Sequence, residues 1–529
     1  MTGILIIFIL YLALMLGIGY WFSRKKLNLN EYLLGDRQLN PWVTAMSAQA
    51  SDMSGWLLTG LPGLAYLGTL IYMGATGKLV SNAAGGIQEA FWTAVGLGIG
   101  TVLNWLLVAR RLRVYTEISN NSLTIPSYLQ NRFRDKKGVI CIITGIVIVF
   151  FFTIYTSSMF AAGAKLFSNI FELDYTLALI IGAGVIVGYT FLGGFLAVSW
   201  TDLIQGVLMF FCLVFVPLYM FFGFDAGQNE LLSKVMVAFG ELLPQADGSG
   251  YPAMKIISAI AWGLGYCGMP HILVRFMACK DKRTIKPAAT IAIVWVAITM
   301  AAAILIGVFG GVYLADVLPN SSGFVADDSG LFWFLSDGEQ VFMEVVKRLF
   351  SPVIAGVMLS AILAAIMSTA DSQLLVASSS FATDIFKRLI KKDATEKQVL
   401  LASKVSMIVI AAIALVLALD PNSSVFGVVK YAWAGLGASF GPIIFISLYK
   451  KEVSCAAAIS GICTGAGVTL LFRYVLAQFG GIWAIYELLP GFLLSTIVIL
   501  VVAKFTKADP ETLAEFDEMK SLLHEDKQS

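Results

Sequence analysis

Charge is scarce in this chain. Only 13% of its 529 residues are Asp, Glu, Lys or Arg, about half the share of an ordinary soluble domain. So little charge cannot cover a water-facing surface of this length, which excludes a soluble globule. The net charge is +2, and no basic stripe points to a nucleic-acid partner. Histidine is nearly missing: His271 and His524 are the two in the chain. The six cysteines (141, 212, 267, 279, 455 and 463) lie in or beside apolar segments, without CxxC or Cys/His spacing. A disulfide framework or zinc site is therefore not expected. No nucleophile–base set assembles from these residues, so neither is an enzyme.

What the chain has instead is apolar length. Hydrophobic residues make up 58% of it, and the mean hydropathy is +0.82. A helix needs about 20 mostly apolar residues to cross hydrocarbon. Thirteen stretches qualify, near 3–22, 41–69, 87–108, 138–168, 174–193, 197–223, 253–277, 284–316, 351–378, 398–419, 424–448, 453–473 and 481–504. The first has no basic flank before it and no small-residue cleavage site after it, and reads as a retained span. The expected fold class is an all-α integral membrane protein with about thirteen transmembrane helices, its surface partner being membrane lipid.

Basic residues decide the sidedness. Arg24, Lys25, Lys26 and Arg37 follow the first span, and Arg110, Arg111, Arg113, Arg132, Arg134, Lys136 and Lys137 the third. Lys280, Lys282, Arg283 and Lys286 follow the seventh, and Lys387, Arg388, Lys391, Lys392 and Lys397 the ninth. Connections near 224–252 and 317–340 are acidic. The positive-inside rule places the N-terminus outside a cell membrane and the tail in the cytoplasm. The tail, 505–529, is expected to be a short frayed helix, and 344–350 part of an amphipathic one.

Two spans break the apolar pattern. The second runs Ser47-Ala-Gln-Ala-Ser-Asp-Met-Ser-Gly-Trp56, then Gly60 and Pro62-Gly63; the seventh holds Trp262-Gly-Leu-Gly-Tyr-Cys-Gly-Met-Pro270. These spans head two successive blocks of five, 41–223 and 253–448, that enter the membrane from opposite sides. Interrupted helices at matching places of two inverted halves point to a transporter's central site. The plainer reading is that the glycines only let helices approach closely. The remaining segments are 1–40, two peripheral helices in 449–504, and the tail.

Intramembrane acids are the next signal, because a charge at mid-bilayer costs about 3 kcal/mol and marks an ion or substrate path. Asp52, Asp202 and Asp371 qualify. Each has a structural alternative: a half-helix cap for Asp52, an interfacial N-cap for Asp202, and local hydroxyl pairing for Asp371. In the ninth span Ala365, Ser368, Thr369 and Ser372 recur at i, i+3, i+4 and i+7, on one helical face. Hydroxyls and a free carbonyl on one stripe suit a weakly held alkali cation. Back-bonding to their own helix is the competing explanation.

Asp52-Met-Ser-Gly-Trp56, Phe195-Leu-Ala-Val-Ser-Trp-Thr-Asp202, Trp262-Gly-Leu-Gly-Tyr266, Pro270-His271, Ala361-Ile-Leu-Ala-Ala-Ile-Met-Ser-Thr369 and Tyr431-Ala-Trp-Ala-Gly-Leu-Gly-Ala438 resemble the sodium/solute symporters along nearly the whole chain. The resemblance implies a five-plus-five inverted-repeat core. It also implies a sodium ion carried with L-proline or, alternatively, with another small carboxylate such as pantothenate or a monocarboxylate. No obligate protein partner is implied. By the same resemblance Ala50, Met53, Ala365, Ser368 and Thr369 would hold sodium. Asp202, Ser368, Asp371 and Ser372 form a second candidate cation set. Asp52, Ser54 and Arg37 would couple ion to substrate, and Ser54, Tyr155, Trp262, Tyr266 and Pro270 would line the proline pocket. The stretch 70–86, with Lys78 and Asn82, departs from the family as an insertion.

Overall fold

The computed structural model describes residues 2–24, 29–74, 86–192, 194–244, 251–315, 323–326 and 333–525. Most of the 70–86 insertion, with Lys78 and Asn82, and the basic pair Lys25 and Lys26 lie outside the described residues.

The chain is mostly helical. The principal helices are for the most part apolar on every side, as expected where one side meets lipid and the other meets neighbouring helices. In chain order they are α1 (Thr2–Ser23), α2 (Pro41–Asp52), α3 (Gly60–Tyr72), α4 (Gly86–Leu103), α5 (Val139–Phe171), α6 (Tyr175–Leu192), α7 (Phe195–Gly223), α8 (Ala253–Ile260), α9 (Pro270–Met277), α10 (Ile285–Leu314), α11 (Pro352–Ser380), α12 (Glu396–Leu417), α13 (Val425–Tyr449), α14 (Cys455–Leu471), α15 (Leu488–Phe505) and α16 (Pro510–Glu525). Among the described residues ten helices are long and apolar enough to cross a membrane. The pair α8–α9, bent by 45°, makes an eleventh. Two of the thirteen sequence-predicted spans fall short. The apolar run of α6 is only Tyr175–Gly188, and the second span is cut into three pieces.

Burial separates centre from rim. In the most apolar window of α13, 94% of residues are buried, and 78% for α11 with its continuation to Ile390, against 22% for α15. The centre of the molecule is thus α11 and α13, with α5 packed against both and α7 against α11. These are the helices that carry Ser368, Tyr155 and Asp202.

Local chemistry explains the breaks. Asn40 caps α2 by accepting from the Val43 amide at 3.0 Å, with Pro41 at the first helical position. The helix ends at Met53, whose ψ of 68° leaves the helical region, and Ser54 is extended. A four-residue turn, Gly55–Leu58, follows before α3 begins. Gly55 belongs here because a Cβ would lie 3.2 Å from that of Ala162 and 3.3 Å from Ile366, so the break is clamped between α5 and α11. In the seventh span α8 tightens into a 3-10 stretch, Ala261–Gly268, before Pro270 starts α9. A Cβ on Gly265 would sit 2.0 Å from the Trp433 indole nitrogen, so only glycine lets α13 lie against this stretch.

The connections add detail that the apolar pattern does not carry. A short hairpin pairs Phe324–Ala326 with Trp333–Leu335 ahead of the amphipathic helix Val341–Leu349. The tail corrects its sequence expectation. Helix α16 is docked rather than frayed, with Thr512, Phe516 and Met519 buried. Glu515 pairs with Arg134 and Asp517 with Lys451, while Lys282 donates to the Leu522 carbonyl at 2.6 Å.

Candidate ion and substrate site

Where α2 ends, its last carbonyls turn toward α11. The Ala50 carbonyl accepts from the Ser368 hydroxyl at 2.8 Å and from the Thr369 hydroxyl at 3.3 Å. Ser368 also lies 3.2 Å from the Ala365 carbonyl. Four of the five oxygens in the first candidate cation set are therefore linked in one chain of contacts through Ala50 and Ser368. The fifth residue, Met53, stands at the break itself. All five residues are buried, and none carries a charge. The negative end of the α2 dipole faces this cluster, an arrangement that favours a cation. Back-bonding is not the whole account of the hydroxyl stripe, since both hydroxyls reach across to another helix.

One turn further along α11 the chemistry changes. Ser372 accepts from the Arg275 guanidinium at 2.6 Å, and the same nitrogen lies 3.2 Å from Asp202 Oδ2. Ser47 donates to Asp202 at 2.6 Å and receives the Arg275 Nε–H at 3.0 Å. Arg275 also donates to the His271 carbonyl at 2.8 Å, and Ser372 lies 3.3 Å from Asp371 Oδ1. Every one of these side chains is fully buried. The second candidate cation set, Asp202, Ser368, Asp371 and Ser372, thus has a guanidinium reaching into it. Sequence reading missed Arg275, although a base inside the seventh span is as strong a signal as the three acids.

The substrate-side residues converge from three helices. Asp52 accepts from the Tyr266 hydroxyl at 2.7 Å, joining the two broken spans. Trp262 lies 6.4 Å from Trp56 and 5.4 Å from Tyr486, and stacks on Phe426 at 5.2 Å. Its carbonyl accepts from the Trp433 indole at 2.9 Å, and Tyr266 meets that indole edge-on at 5.1 Å. Tyr155 on α5 faces the His271 ring at 6.3 Å, just beyond Pro270. Trp56 and Trp433 lie inside the quoted motifs without an assigned role, and Phe426 and Tyr486 carry no sequence signal, because aromatic residues in apolar spans look like ordinary core. On α2 and α11 the buried Gln49 Oε1, Asp52 Oδ1 and Gln373 Nε2 have no hydrogen-bond partner, and Ser54 Oγ and the Tyr155 hydroxyl have at most each other. Buried polar groups are almost always paired, so this set is suited to a polar ligand.

Hydrogen bonds and ion pairs cross between segments at both ends of the helix bundle. On the face of the basic loops, Arg37 donates to Thr116 (3.2 Å), Asn121 (3.0 Å) and the carbonyls of Met277 (2.6 Å) and Ser122 (3.0 Å). Burial, with the Arg113 charge beside it, brings the Arg37 guanidinium down to about 10, which leaves it charged at neutral pH. Arg113 grips the Cys279 and Lys280 carbonyls at 2.6 and 3.0 Å. A cavity of about 840 Å³ opens beyond, lined by Asn121, Thr124, Lys137 and Lys387. On the opposite face Lys165 pairs with Glu339 (2.6 Å) and Asp337 (2.9 Å). Glu339 in turn accepts from the Val425 and Phe426 amides at the start of α13. A second cavity, about 570 Å³, lies over that contact. The aromatic cage sits between the two.

Residues 32–465 match the sodium:solute symporter family. The sodium/proline symporter of Haemophilus influenzae is 41% identical, covering 99% of both chains. The high-affinity proline transporter of Bacillus subtilis is 40% identical, over 95% of this chain and 98% of that one. Among solved structures, a Na+-coupled sialic acid symporter in a substrate-bound outward-open state superposes with a TM-score of 0.72 at 19% identity, covering 96% of this chain and 98% of that one. That likeness concerns the fold. The match across most of the chain and the full-length identities make the conclusion plain: this chain belongs to the sodium:solute symporter family, whose members are transporters and not enzymes.

Proposed function

We propose that this protein is a sodium-coupled symporter that imports L-proline by alternating access. The observation that carries the reading is the neutral oxygen cluster between the broken second span and α11, beside an aromatic cage with unspent hydrogen-bonding groups. Sodium binds among the carbonyls of Ala50, Met53 and Ala365 and the hydroxyls of Ser368 and Thr369. On binding, the two hydroxyl protons turn away and their lone pairs face the ion. Because these oxygens belong to α11 on one side and the α2 break on the other, the ion pins the two together. That fixes Ser54 and Asp52, which face the substrate. The proline ring rests among Tyr155, Trp262, Tyr266 and Pro270. Its amine and carboxylate meet Asp52, Ser54, the Tyr155 hydroxyl, Gln49 and Gln373.

Arg275 already supplies the positive charge beside Asp202 and Ser372, so that set works as a structural ion pair and one sodium accompanies each proline. The inward step draws about 2.3 kcal/mol per charge for each 100 mV of membrane potential. Counting the interrupted second span, the bent seventh and the short α6 as single crossings gives thirteen. The N-terminus is then outside and α16 in the cytoplasm, with 41–223 and 253–448 as the inverted repeats. Arg37 and Arg113 release the inner mouth, and Lys165 with Glu339 the outer.

The test is uptake of labelled proline into proteoliposomes holding the full chain, with and without an inward sodium gradient. Accumulation that needs sodium supports the reading. No proline-dependent signal would end the substrate assignment, and sodium-independent uptake that follows pH would end the ion assignment.

A further inference from the structure

Helix α11 does not end cleanly. It continues as a wider π-turn stretch, Phe381–Ile390, which closes when the Lys391 amide donates to the Phe386 carbonyl at 2.9 Å. The widening leaves a groove of about 590 Å³ between this stretch, α5 and α12. Its α12 wall is one helical face on which Leu401, Val405, Val409 and Ile413 are half exposed or more. From Gln398 to Ile413 this wall climbs about 22 Å at 1.5 Å per residue. That exceeds the roughly 15 Å of hydrocarbon in one leaflet.

The polar groups along the groove are nearly all used internally. Thr153 donates to the Val149 carbonyl at 2.6 Å, and Ser406 to that of Ser403 at 2.9 Å. Gln398 accepts from the Thr395 amide at 3.1 Å in the cap of its own helix. At the end where the chain leaves the membrane stands Lys391, exposed, with Lys387 and Lys392 beside it on the rim of the neighbouring cavity. Among the described residues, no carboxylate lies within ion-pair distance of any of these three ammonium groups. The charge rule for membrane proteins accounts for lysines at this level, but not for an open apolar groove leading away from one of them.

We propose that this groove is a binding site for one anionic phospholipid of the leaflet at the basic face. One of its two acyl chains lies along α12 between α5 and the π-turn, and its phosphate rests on Lys391, with Lys387 and Lys392 on the rim of the neighbouring cavity. A basic pocket between helices at the membrane surface is the arrangement that recognises anionic headgroups. The groove takes one chain and the lysines take a phosphate whose charge is not offset; a zwitterionic lipid brings the same phosphate together with an ammonium group that the lysines repel.

The purified full-length protein, mixed with equimolar phosphatidylglycerol and phosphatidylcholine, is weighed intact by native mass spectrometry. Wild type is expected to retain one phosphatidylglycerol in preference to phosphatidylcholine. Lys391→Gln should weaken that preference about fivefold, the effect of one basic side chain near an anionic surface. Ala402→Trp fills the groove without altering charge and should abolish the retained lipid. Equal retention of both lipids by wild type, or unchanged phosphatidylglycerol retention in Ala402→Trp, would overturn the site. If Ala402→Trp does not fold, the wild-type competition and the exposed Lys391→Gln substitution decide it. The readout is mass alone, so it stands apart from the outcome of any uptake assay.

Discussion

Two clusters on α11, one helical turn apart, solve the problem of a buried cation in opposite ways. Around Ser368 and Thr369 the polar groups are neutral oxygens, and no positive charge is built in. Around Ser372 the positive charge is built in, as Arg275, and two carboxylates share its surroundings. The first arrangement can bind an ion and let it go. The second ties α7, α9 and α11 together, and separating a buried ion pair of this kind leaves charges unsolvated. A carrier needs both kinds of contact, and the difference between them is the presence of a covalently attached cation.

That contrast is easiest to break from the charged side. Arg275→Met leaves Asp202 without its partner, and the loss should be about 3–5 kcal/mol of stability. Thermal melting in detergent checks it, together with Arg275→Met/Asp202→Asn, which should recover most of the loss. Coincident melting of the single and double variants would mean that the pair is not the cause. Tyr266→Phe removes the donor that meets Asp52 across the two broken spans. A lost hydrogen bond to a buried carboxylate, worth about 1.5–3 kcal/mol, should raise the proline half-saturation at least tenfold. Ser372→Ala sharpens the comparison: stability should fall by about 1–2 kcal/mol, while the sodium half-saturation stays within experimental error of wild type. A clear shift in that value would place the ion at the charged cluster. Arg37→Gln is expected to matter least, changing the uptake rate at saturation by a few-fold while both half-saturations hold, as kinetics in proteoliposomes would show.

Much of this was legible in the sequence, for physical reasons. Period and composition mark apolar spans, and the Gly- and Pro-rich interruptions at 53–63 and 261–270 mark the breaks. The hydroxyl spacing in α11 puts Ser368 and Thr369 on one face, and the structure sets that face against Ala50. Pairings between distant segments were not legible. Nothing local to Arg275 names Asp202, which lies 73 residues away. Nor does Glu339, in a polar connection, announce that it caps α13 and holds Lys165. The docking of α16 was hidden for the same reason. Its apolar residues are few, and the groups that hold it come from separate parts of the chain: Tyr115 and Arg132 lie against Phe516, while Arg134, Lys282 and Lys451 reach Glu515, the Leu522 carbonyl and Asp517.

The central claim is that sodium binds the neutral cluster and not the charged one. Sodium dependence of proline uptake in Ser368→Ala and Thr369→Ala, each shown to be folded by its melting temperature, tests it most directly. The account predicts a sodium half-saturation raised roughly 10–100-fold, the effect of losing one oxygen contact to a charge worth about 1.5–3 kcal/mol. A sodium half-saturation equal to that of wild type in both variants would contradict it.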